Sequence, residues 1–274
     1  MLEIPESYGF AKQLNQTIQG KKIRSVISGA SPHKFAFYFG DSENYPELLE
    51  GKVIGKSTAI SGMIEVCIEK IRLVLFDGTN IRYITDTALL PKKHQLLIEF
   101  DDSTYLTCSI QMYGGIWVFR EGENDNLYYL SAKTKPSPLT DAFTKEYFLQ
   151  LYNDTKKSLS VKAFLATQQR IPGLGNGVLQ DILFYAKLNP KIKLEEITEE
   201  EINRLYQMIK EVLKMMALAG GRNTEKDIFG QFGGYQTVLS HKVYKEPCPV
   251  CGGDITKQAY LGGTVYYCRE CQRI

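Results

Sequence analysis

Four cysteines near the carboxyl end have the spacing of a metal-ligand set. They form two pairs, Cys248-x2-Cys251 and Cys268-x2-Cys271, with sixteen residues between the pairs. Each pair places two thiolates at one tight turn, and two such turns complete a tetrahedral shell of the kind that binds zinc. Four thiolates close that shell, so we expect one structural Zn2+ ion without a catalytic role. The alternative is a pair of disulfides, which an oxidising compartment would favour.

The first six residues, MLEIPE, carry a second set of groups that can do chemistry. An α-amine and the carboxylates of Glu3 and Glu6 lie in this stretch, and Pro5 suits the first turn of a helix. A carboxylate at this place can act as a general acid or base. Alternatively, it can accept hydrogen bonds from the backbone N–H groups that begin the helix.

The segment 170–190, RIPGLGNGVLQDILFYAKLNP, contains a glycine turn between two helix-like stretches. Near Gly175 and Asn176, the N–H groups that start the second helix can bind an anion. The region 155–193 carries one acidic residue and seven basic ones: Lys156, Lys157, Lys162, Arg170, Lys187, Lys191 and Lys193. The pattern predicts a phosphate-binding face. The alternatives are a solvated helix surface and a tight structural turn.

The rest of the chain must position these groups, and its first half predicts a β-rich domain. Residues 5–18 have the spacing of a helix. From Lys22 to Phe119, short alternating apolar stretches predict an antiparallel β-sandwich with that helix on its flank. Asp77-Gly78 and Asp101-Asp102 are typical of hairpin turns. Together with the helices that follow, this gives an α+β fold.

The second half predicts a linker, a helical domain and a small terminal hairpin. Residues 120–139 are polar and contain two prolines, so we interpret them as a connection. The predicted helices span 144–153, 160–169 with Ser160 as its cap, 177–188, and a last one between the capping box Thr198/Glu201 and Gly220-Gly221. The predicted domains are residues 1–125, 126–240 and 241–274.

The composition is that of an ordinary soluble protein. The 274 residues are 43% hydrophobic and 23% charged, and the formal net charge of +2 does not by itself identify a nucleic-acid binder. No run of eighteen apolar residues predicts a membrane span. Glu3 and Glu6 stand where a signal peptide would need basic residues, so we expect a cytoplasmic protein of a bacterial-type cytosol or nucleoid, without a membrane partner. Cys67 and Cys108 lie singly in apolar stretches and are expected to be buried.

The order of these motifs resembles the formamidopyrimidine-DNA glycosylase / endonuclease VIII family. Glu3-Ile4-Pro5-Glu6 is similar to the family's amino-terminal E-x-P-E motif, and a β-sandwich follows. Residues 160–190 are similar to its helix–two-turn–helix element, with Gly173-Leu174-Gly175-Asn176 as G-x-G-N. EPCPVCGG…YYCRECQ is similar to its zinc finger, to which Arg269 and Arg273 add positive charge. The resemblance covers essentially the whole chain and identifies it as a divergent member.

The resemblance implies a base-excision repair enzyme that binds damaged double-stranded DNA and flips a base, and we expect it to act as a monomer. In this family the amino-terminal amine attacks the sugar C1′ and forms a Schiff base, the following glutamate protonates the sugar, and elimination cuts the strand. The implied catalytic residues here are Met1, Glu3 and Glu6. The implied DNA-binding residues are Lys162, Arg170, Gly175, Asn176, Arg269, Met112 and Tyr113. The last two enter the gap left by the flipped base or, alternatively, form a core hairpin pair.

This sequence departs from the family pattern at four places. Leu2 stands where the family has its nucleophilic proline, and Gly62 where it has a hairpin lysine. Met112-Tyr113 replaces an Arg-Phe pair, and Gly263 replaces an arginine of the finger. Leucine at position 2 prevents the usual removal of methionine, so the free amine is roughly 3.5 Å of chain further from the glutamate. Because amine attack depends on geometry, we expect AP-lyase activity to be weak or absent.

The sequence thus predicts a DNA glycosylase that hydrolyses the N-glycosidic bond of a flipped, damaged base, with Glu3 as general acid or base. The alternative is a non-catalytic module that recognises bent or damaged DNA. A third interpretation makes the zinc ribbon a protein-interaction element. No residue pattern identifies the lesion.

Overall fold

The computed structural model describes residues 1–272, which divide into two compact units. The first unit comprises residues 1–133 and 225–233, and the second comprises residues 134–224 and those from 234 onward. Arg273 lies outside the described residues. Among the described residues, no helix has both the length and the apolar content that crossing a membrane requires. The domain boundaries at residues 125 and 240 stay predictions.

The first unit is built on a mainly antiparallel sheet. Its strands are β1 (Ile23–Ser28), β2 (Ala36–Tyr38), β3 (Ile54–Ile60), β4 (Met63–Ile68), β5 (Ile71–Ile84), β6 (Leu96–Phe100) and β7 (Tyr105–Arg120). Its helices are α1 (Ile4–Thr17), α2 (Tyr45–Leu49) and α3 (Leu127–Thr134). The strand order is β1-β6-β7-β5-β4-β3, and β2 pairs in parallel with β7. The antiparallel amino-terminal sheet is confirmed, and its strands form one connected network rather than two separate sheets.

Both faces of this sheet are buried, which explains the nearly continuous apolar run of β5. Successive strand residues point to opposite faces. Leu73 and Leu75 enter the core that α1 covers, whereas Val74 and Phe76 enter a second core with Tyr129 of α3. The two helices therefore fix the sheet from opposite sides and carry residues of the amino-terminal site to it.

The segment 120–139 is not a simple connection, because its middle forms α3. Tyr129 and Ala132 are the buried residues of this helix. The Tyr129 hydroxyl donates a hydrogen bond to the Glu65 carboxylate, and the Lys133 ammonium lies 3.2 Å from the same group. Because only two of the eight residues of this helix are buried, its apolar residues do not recur at a spacing that predicts a helix.

Asp77-Gly78 is not a hairpin turn, whereas Asp101-Asp102 does lie in the turn between β6 and β7. Strand β5 continues through Asp77 and Gly78, and its pairing with β7 shifts register there. Asp77 has a φ of +55°, and a Cβ at Gly78 would lie 2.3 Å from the carbonyl oxygen of Tyr113. We call this irregularity the β5 bulge: where the register shifts, Gly78 alone on β5 faces three residues of β7, numbers 111–113.

The second unit contains the predicted helices and the terminal hairpin. Its helices are α4 (Lys145–Asn153), α5 (Val161–Ala166), α6 (Asn176–Tyr185) and α7 (Glu199–Leu218), and its strands are β8 (Ile255–Tyr260) and β9 (Gly263–Cys268). Ser160 caps α5, and Thr198 with Glu201 forms the predicted capping box of α7. Helix α5 ends earlier than predicted because Gln168 and Gln169 adopt left-handed backbone conformations.

Candidate active site and metal centre

The amino terminus is anchored to the β5 bulge. The Leu2 N–H donates to the carbonyl oxygen of Asp77 at 2.7 Å. Glu3 is the last residue before α1 and is 3% exposed. Its side chain makes no capping hydrogen bond, so the structure does not use this carboxylate to cap the helix. Glu6, in the first turn of α1, is also buried.

The α-amine of Met1 forms an ion pair with Glu225. Glu225 belongs to the segment 225–233, which is fixed to the first unit because Ile228 is fully buried and accepts a 2.9 Å hydrogen bond from the Tyr83 N–H. The amine is therefore engaged by a carboxylate that the fold holds in place.

Asp77 and two tyrosines complete a group of ionisable residues near Glu3. The Tyr128 hydroxyl donates to Asp77 Oδ1 at 2.9 Å. Burial raises the pKa of Asp77, and the hydrogen bond from Tyr128 and the positive charge of the Met1 amine partly oppose this rise. Burial also raises the pKa of Tyr113, and the charges of Asp77 and Glu3 add to that rise. Two carboxylates, an amine and two phenols therefore act on one another at the bulge.

The β3–β4 corner, where the family pattern has a lysine, contacts α1 and α3. The Ser7 hydroxyl of α1 donates to the carbonyl oxygen of Ser61. The Ser61 hydroxyl in turn donates to the carbonyl oxygen of Ala132 at 3.2 Å. Gly62 follows and is buried. This corner supports the start of α1, and neither of its two residues carries an amine.

Met112 and Tyr113 lie on β7 beside the same bulge. The Met112 side chain is 72% exposed, so it is not half of a core hairpin pair. Tyr113 is partly buried, and its hydroxyl lies 3.7 Å from Met1 Sδ. The two residues therefore have different environments: Met112 is exposed to solvent, and Tyr113 lies against the amino terminus.

In the second unit, the glycine turn packs against the terminal hairpin. Gly173 has a φ of +76°, and Gly175 is the residue before α6. The Asn176 amide donates to the carbonyl oxygen of Thr264 at 2.9 Å. A Cβ at Gly263 would lie 3.2 Å from that amide, so the glycine at the position of the finger arginine packs directly on Asn176.

The basic residues predicted to bind phosphate differ in accessibility. Lys162 is 3% exposed, and its ammonium donates to the carbonyl oxygen of Tyr260. Arg170 is half-buried and donates to the carbonyl oxygen of Thr167 at 3.2 Å. Arg269 is exposed. Lys162 therefore ties the hairpin to α5, and Arg269 is the more accessible cation.

The four terminal cysteines converge. Their sulfur atoms all lie within 4.8 Å of one another, with Cys248 Sγ 3.8 Å from Cys271 Sγ and Cys251 Sγ 3.4 Å from Cys268 Sγ. All four are free thiols, and these distances are well beyond a disulfide bond of about 2.05 Å. Sulfur ligands about 2.3 Å from a tetrahedral zinc ion lie about 3.8 Å apart, so the cluster has the dimensions of a metal site.

The sequence patterns do not indicate Asp77, Tyr128 or Glu225 as members of the candidate active site. Asp77 was assigned to a turn and Tyr128 to a linker, and Glu225 is far from Met1 in sequence. The length of the apolar run around Asp77 is the one signal that favours a continuous strand over a hairpin.

Comparison with known proteins decides the family. The Formamidopyrimidine-DNA glycosylase H2TH domain matches residues 135–227. The formamidopyrimidine-DNA glycosylase of Legionella pneumophila (strain Paris) is 30% identical over 282 residues, which cover 100% of this chain and 99% of that protein. That of strain Lens is 31% identical over 239 residues, which cover 84% and 85%. The chain belongs to the formamidopyrimidine-DNA glycosylase family.

Solved structures of formamidopyrimidine-DNA glycosylases share this fold. A complex between the Lactococcus lactis Fpg and DNA with an abasic site matches with a TM-score of 0.85 at 24% identity, covering 99% of this chain and 100% of that one. The MutM (Fpg) protein from Thermus thermophilus matches with a TM-score of 0.82 at 24% identity, covering 98% of each chain. The family and the α+β fold predicted from the sequence are confirmed.

Proposed function

We propose that this family member is a DNA glycosylase of base-excision repair that hydrolyses the N-glycosidic bond of a damaged base and leaves the strand uncut. Its relatives are named formamidopyrimidine-DNA glycosylases, and the Lactococcus lactis protein binds DNA with an abasic site. The observation that carries the proposal is Glu3, a buried carboxylate that does not cap its helix and acts electrostatically on Tyr113 at the bulge. Family membership favours this enzyme over a non-catalytic module.

The amino-terminal amine does not form a bond to the sugar in this proposal. Leu2 occupies the place of the nucleophilic proline, and the Met1 amine is ion-paired with Glu225. Water is then the group that attacks C1′. The Glu3 carboxyl group supplies the proton that the departing base takes up, which is general acid catalysis.

The four cysteines hold one structural zinc ion in this proposal. The free thiols, their mutual distances and the position of one cysteine pair before β8 and the other at the end of β9 support it. Four thiolate ligands leave no open position on the metal, so the ion contributes folding energy to the hairpin and no catalytic group.

Duplex DNA is the partner, and the protein acts as a monomer in the bacterial cytosol or nucleoid. The named relatives are bacterial. In the second unit the start of α6 contacts phosphate through Gly175 and Asn176, and Arg170 and Arg269 add positive charge.

Replacement of Glu3 by glutamine tests the proposal, because it keeps the shape of the side chain and removes its proton. Base release is measured on duplexes with oxidised, alkylated and deaminated bases, and DNA binding by fluorescence anisotropy. We expect Glu3→Gln to slow release about 100-fold or more and to bind DNA normally. Glu47→Gln, which changes an exposed glutamate of α2, is the matched control.

Equal release by Glu3→Gln and the natural protein would remove Glu3 from the mechanism. If the natural protein releases no base from any duplex but binds them, the glycosylase proposal is wrong and the non-catalytic module is correct.

A further inference from the structure

Hydrolysis without an amine nucleophile needs a second group at the site. Water is a weak nucleophile, and a base that takes its proton during attack accelerates the reaction. Glu3 cannot serve as this base in the same step in which it gives a proton to the departing base. The proposed function therefore leaves one role open, and the described residues of the first unit offer a group for it.

Asp77 combines an unusual backbone with a restrained carboxylate. Its φ of +55° lies in the left-handed region. Residues other than glycine adopt this backbone conformation at a cost in energy, and it is often found at functional sites. Gly78 follows it and allows the carbonyl group of Tyr113 to approach the bulge closely. The backbone is thus bent at one residue, and that residue carries a carboxylate.

Two hydrogen bonds hold Asp77 beside the amino-terminal group, one to its backbone and one to its carboxylate. The Asp77 carbonyl oxygen accepts from the Leu2 N–H at 2.7 Å, one residue before Glu3. The Tyr128 hydroxyl donates to Oδ1 at 2.9 Å and fixes the plane of the carboxylate. Oδ2 is then the oxygen that can accept a proton from water.

We propose that Asp77 is the catalytic base of this protein, which takes a proton from the water that attacks C1′, and that Tyr128 is its positioning residue. The inference rests on the proposed glycosylase activity. It gives a catalytic role to a residue that the motifs shared with the family do not indicate.

The step balances with these two carboxyl groups. The water oxygen forms a bond to C1′ while one of its protons passes to Asp77 Oδ2. The bond between C1′ and the base nitrogen breaks, its electron pair leaves with the base, and the base takes the proton of Glu3. Asp77 ends protonated and Glu3 ionised, and proton exchange with solvent restores both.

The charged and titratable groups around Asp77 favour this division of roles. Burial and the charge of Asp77 both raise the pKa of Tyr128, so the phenol remains a donor at neutral pH. Burial raises the pKa of Asp77, which makes its carboxylate a stronger base, and the Met1 ammonium and Tyr128 partly offset the rise. Tyr113 faces Asp77 and Glu3 from β7 and stays neutral, because its own pKa is raised.

The test compares single-turnover base release by the natural protein, Asp77→Asn and Asp77→Gly as a function of pH. Asparagine and glycine both tolerate the left-handed backbone, so each variant is expected to fold and bind DNA. We expect base release by both variants to be about 100-fold slower or more. In the natural protein the rate should fall at acidic pH because Asp77 becomes protonated, and in the variants this fall should be absent. Formate in the buffer is expected to restore part of the rate of Asp77→Gly by acting as the missing base.

Tyr128→Phe separates positioning from structure. The hydrogen bond from Tyr128 favours the ionised form of Asp77, so its removal raises the pKa of that carboxyl group. The acidic limb of the pH profile should therefore move to higher pH in Tyr128→Phe. Asp125→Asn, which changes an exposed aspartate just before α3, is the matched control and should leave the profile unchanged.

The outcomes are distinct. If Asp77→Asn releases the base as fast as the natural protein, Asp77 is not the catalytic base, and the glycosylase proposal remains intact. Reduced release without formate rescue and with an unchanged acidic limb would show a merely structural role. Absence of release by the natural protein would overturn the proposed function and this inference with it. If Asp77→Asn fails to fold, formate rescue of Asp77→Gly decides.

Discussion

Met112 is a residue beside the β5 bulge that we propose to contact DNA. Its apolar side chain is 72% exposed on β7, while the neighbouring Tyr113 lies against Met1. Core packing does not explain why a large apolar side chain is exposed to solvent. Insertion into the space left by a flipped base would explain it, because inserted apolar side chains replace the stacking between bases that is lost.

Met112→Ala is expected to weaken binding to a duplex with an abasic site several-fold, an effect of about 1 kcal/mol. It should also reduce the fluorescence change of 2-aminopurine placed next to that site, which reports unstacking. Leu89→Ala removes an apolar side chain of similar exposure, 70%, elsewhere in the same unit and serves as the control. Equal signals from the two variants would exclude Met112 from the DNA contact.

Sequence motifs predicted the cysteine cluster and indicated Glu3 as a candidate, but they did not indicate Asp77. Cysteine pairs and the E-x-P-E motif are local in sequence, so their chemistry can be recognised without the fold. Asp77 depends on a bulge between two strands and on Tyr128, which is fifty-one residues away. An Asp-Gly pair has the same local preference for a left-handed backbone in a hairpin and in a bulge, so local preference could not distinguish the two.

At the scale of elements, the β8–β9 hairpin is fixed to α6 by polar contacts. The amide of Gln180 donates to the carbonyl oxygen of Thr264 at 3.0 Å and accepts from the N–H of Tyr266 at 3.0 Å, and Asn176 donates to the same carbonyl group. A two-stranded hairpin has too little core to fold alone, so we expect these contacts to depend on the proposed zinc ion.

Metal analysis of the purified protein is expected to give about one zinc ion per chain and close to none for Cys268→Ala. In that variant, hydrogen exchange should become fast in β8 and β9 while β5 and β7 remain protected, and DNA affinity should fall. Cys67→Ala, which removes a thiol of β4, is the control that keeps its zinc. A folded hairpin in metal-free natural protein would contradict the structural role of zinc.

Element types were predictable where the sequence period was strong, as in α7, whose capping box was recognised at Thr198 and Glu201. Helix α3 was not predictable, because its two buried side chains meet a sheet face that is defined only after β4, β5 and β7 have paired. Tertiary contact outweighs the polar composition of this segment.

The whole chain has the fold of its family, and we propose that it uses a different nucleophile. The chain matches its relatives over essentially their full length, and yet the amine stands one residue out of place and is paired with Glu225. The proposed water-dependent reaction needs two carboxyl groups, and we assign these roles to Glu3 and Asp77. We therefore expect the protein to release a base without a covalent DNA intermediate.

Borohydride trapping on a duplex from which the protein releases a base tests that claim most directly, with intact mass recorded first to define the amino terminus. We expect free base in the supernatant, an abasic strand that breaks only after alkali, and no protein–DNA adduct above background. An adduct formed in proportion to the released base, together with strand cleavage, would show that an amine of this protein reaches C1′ and would contradict the account.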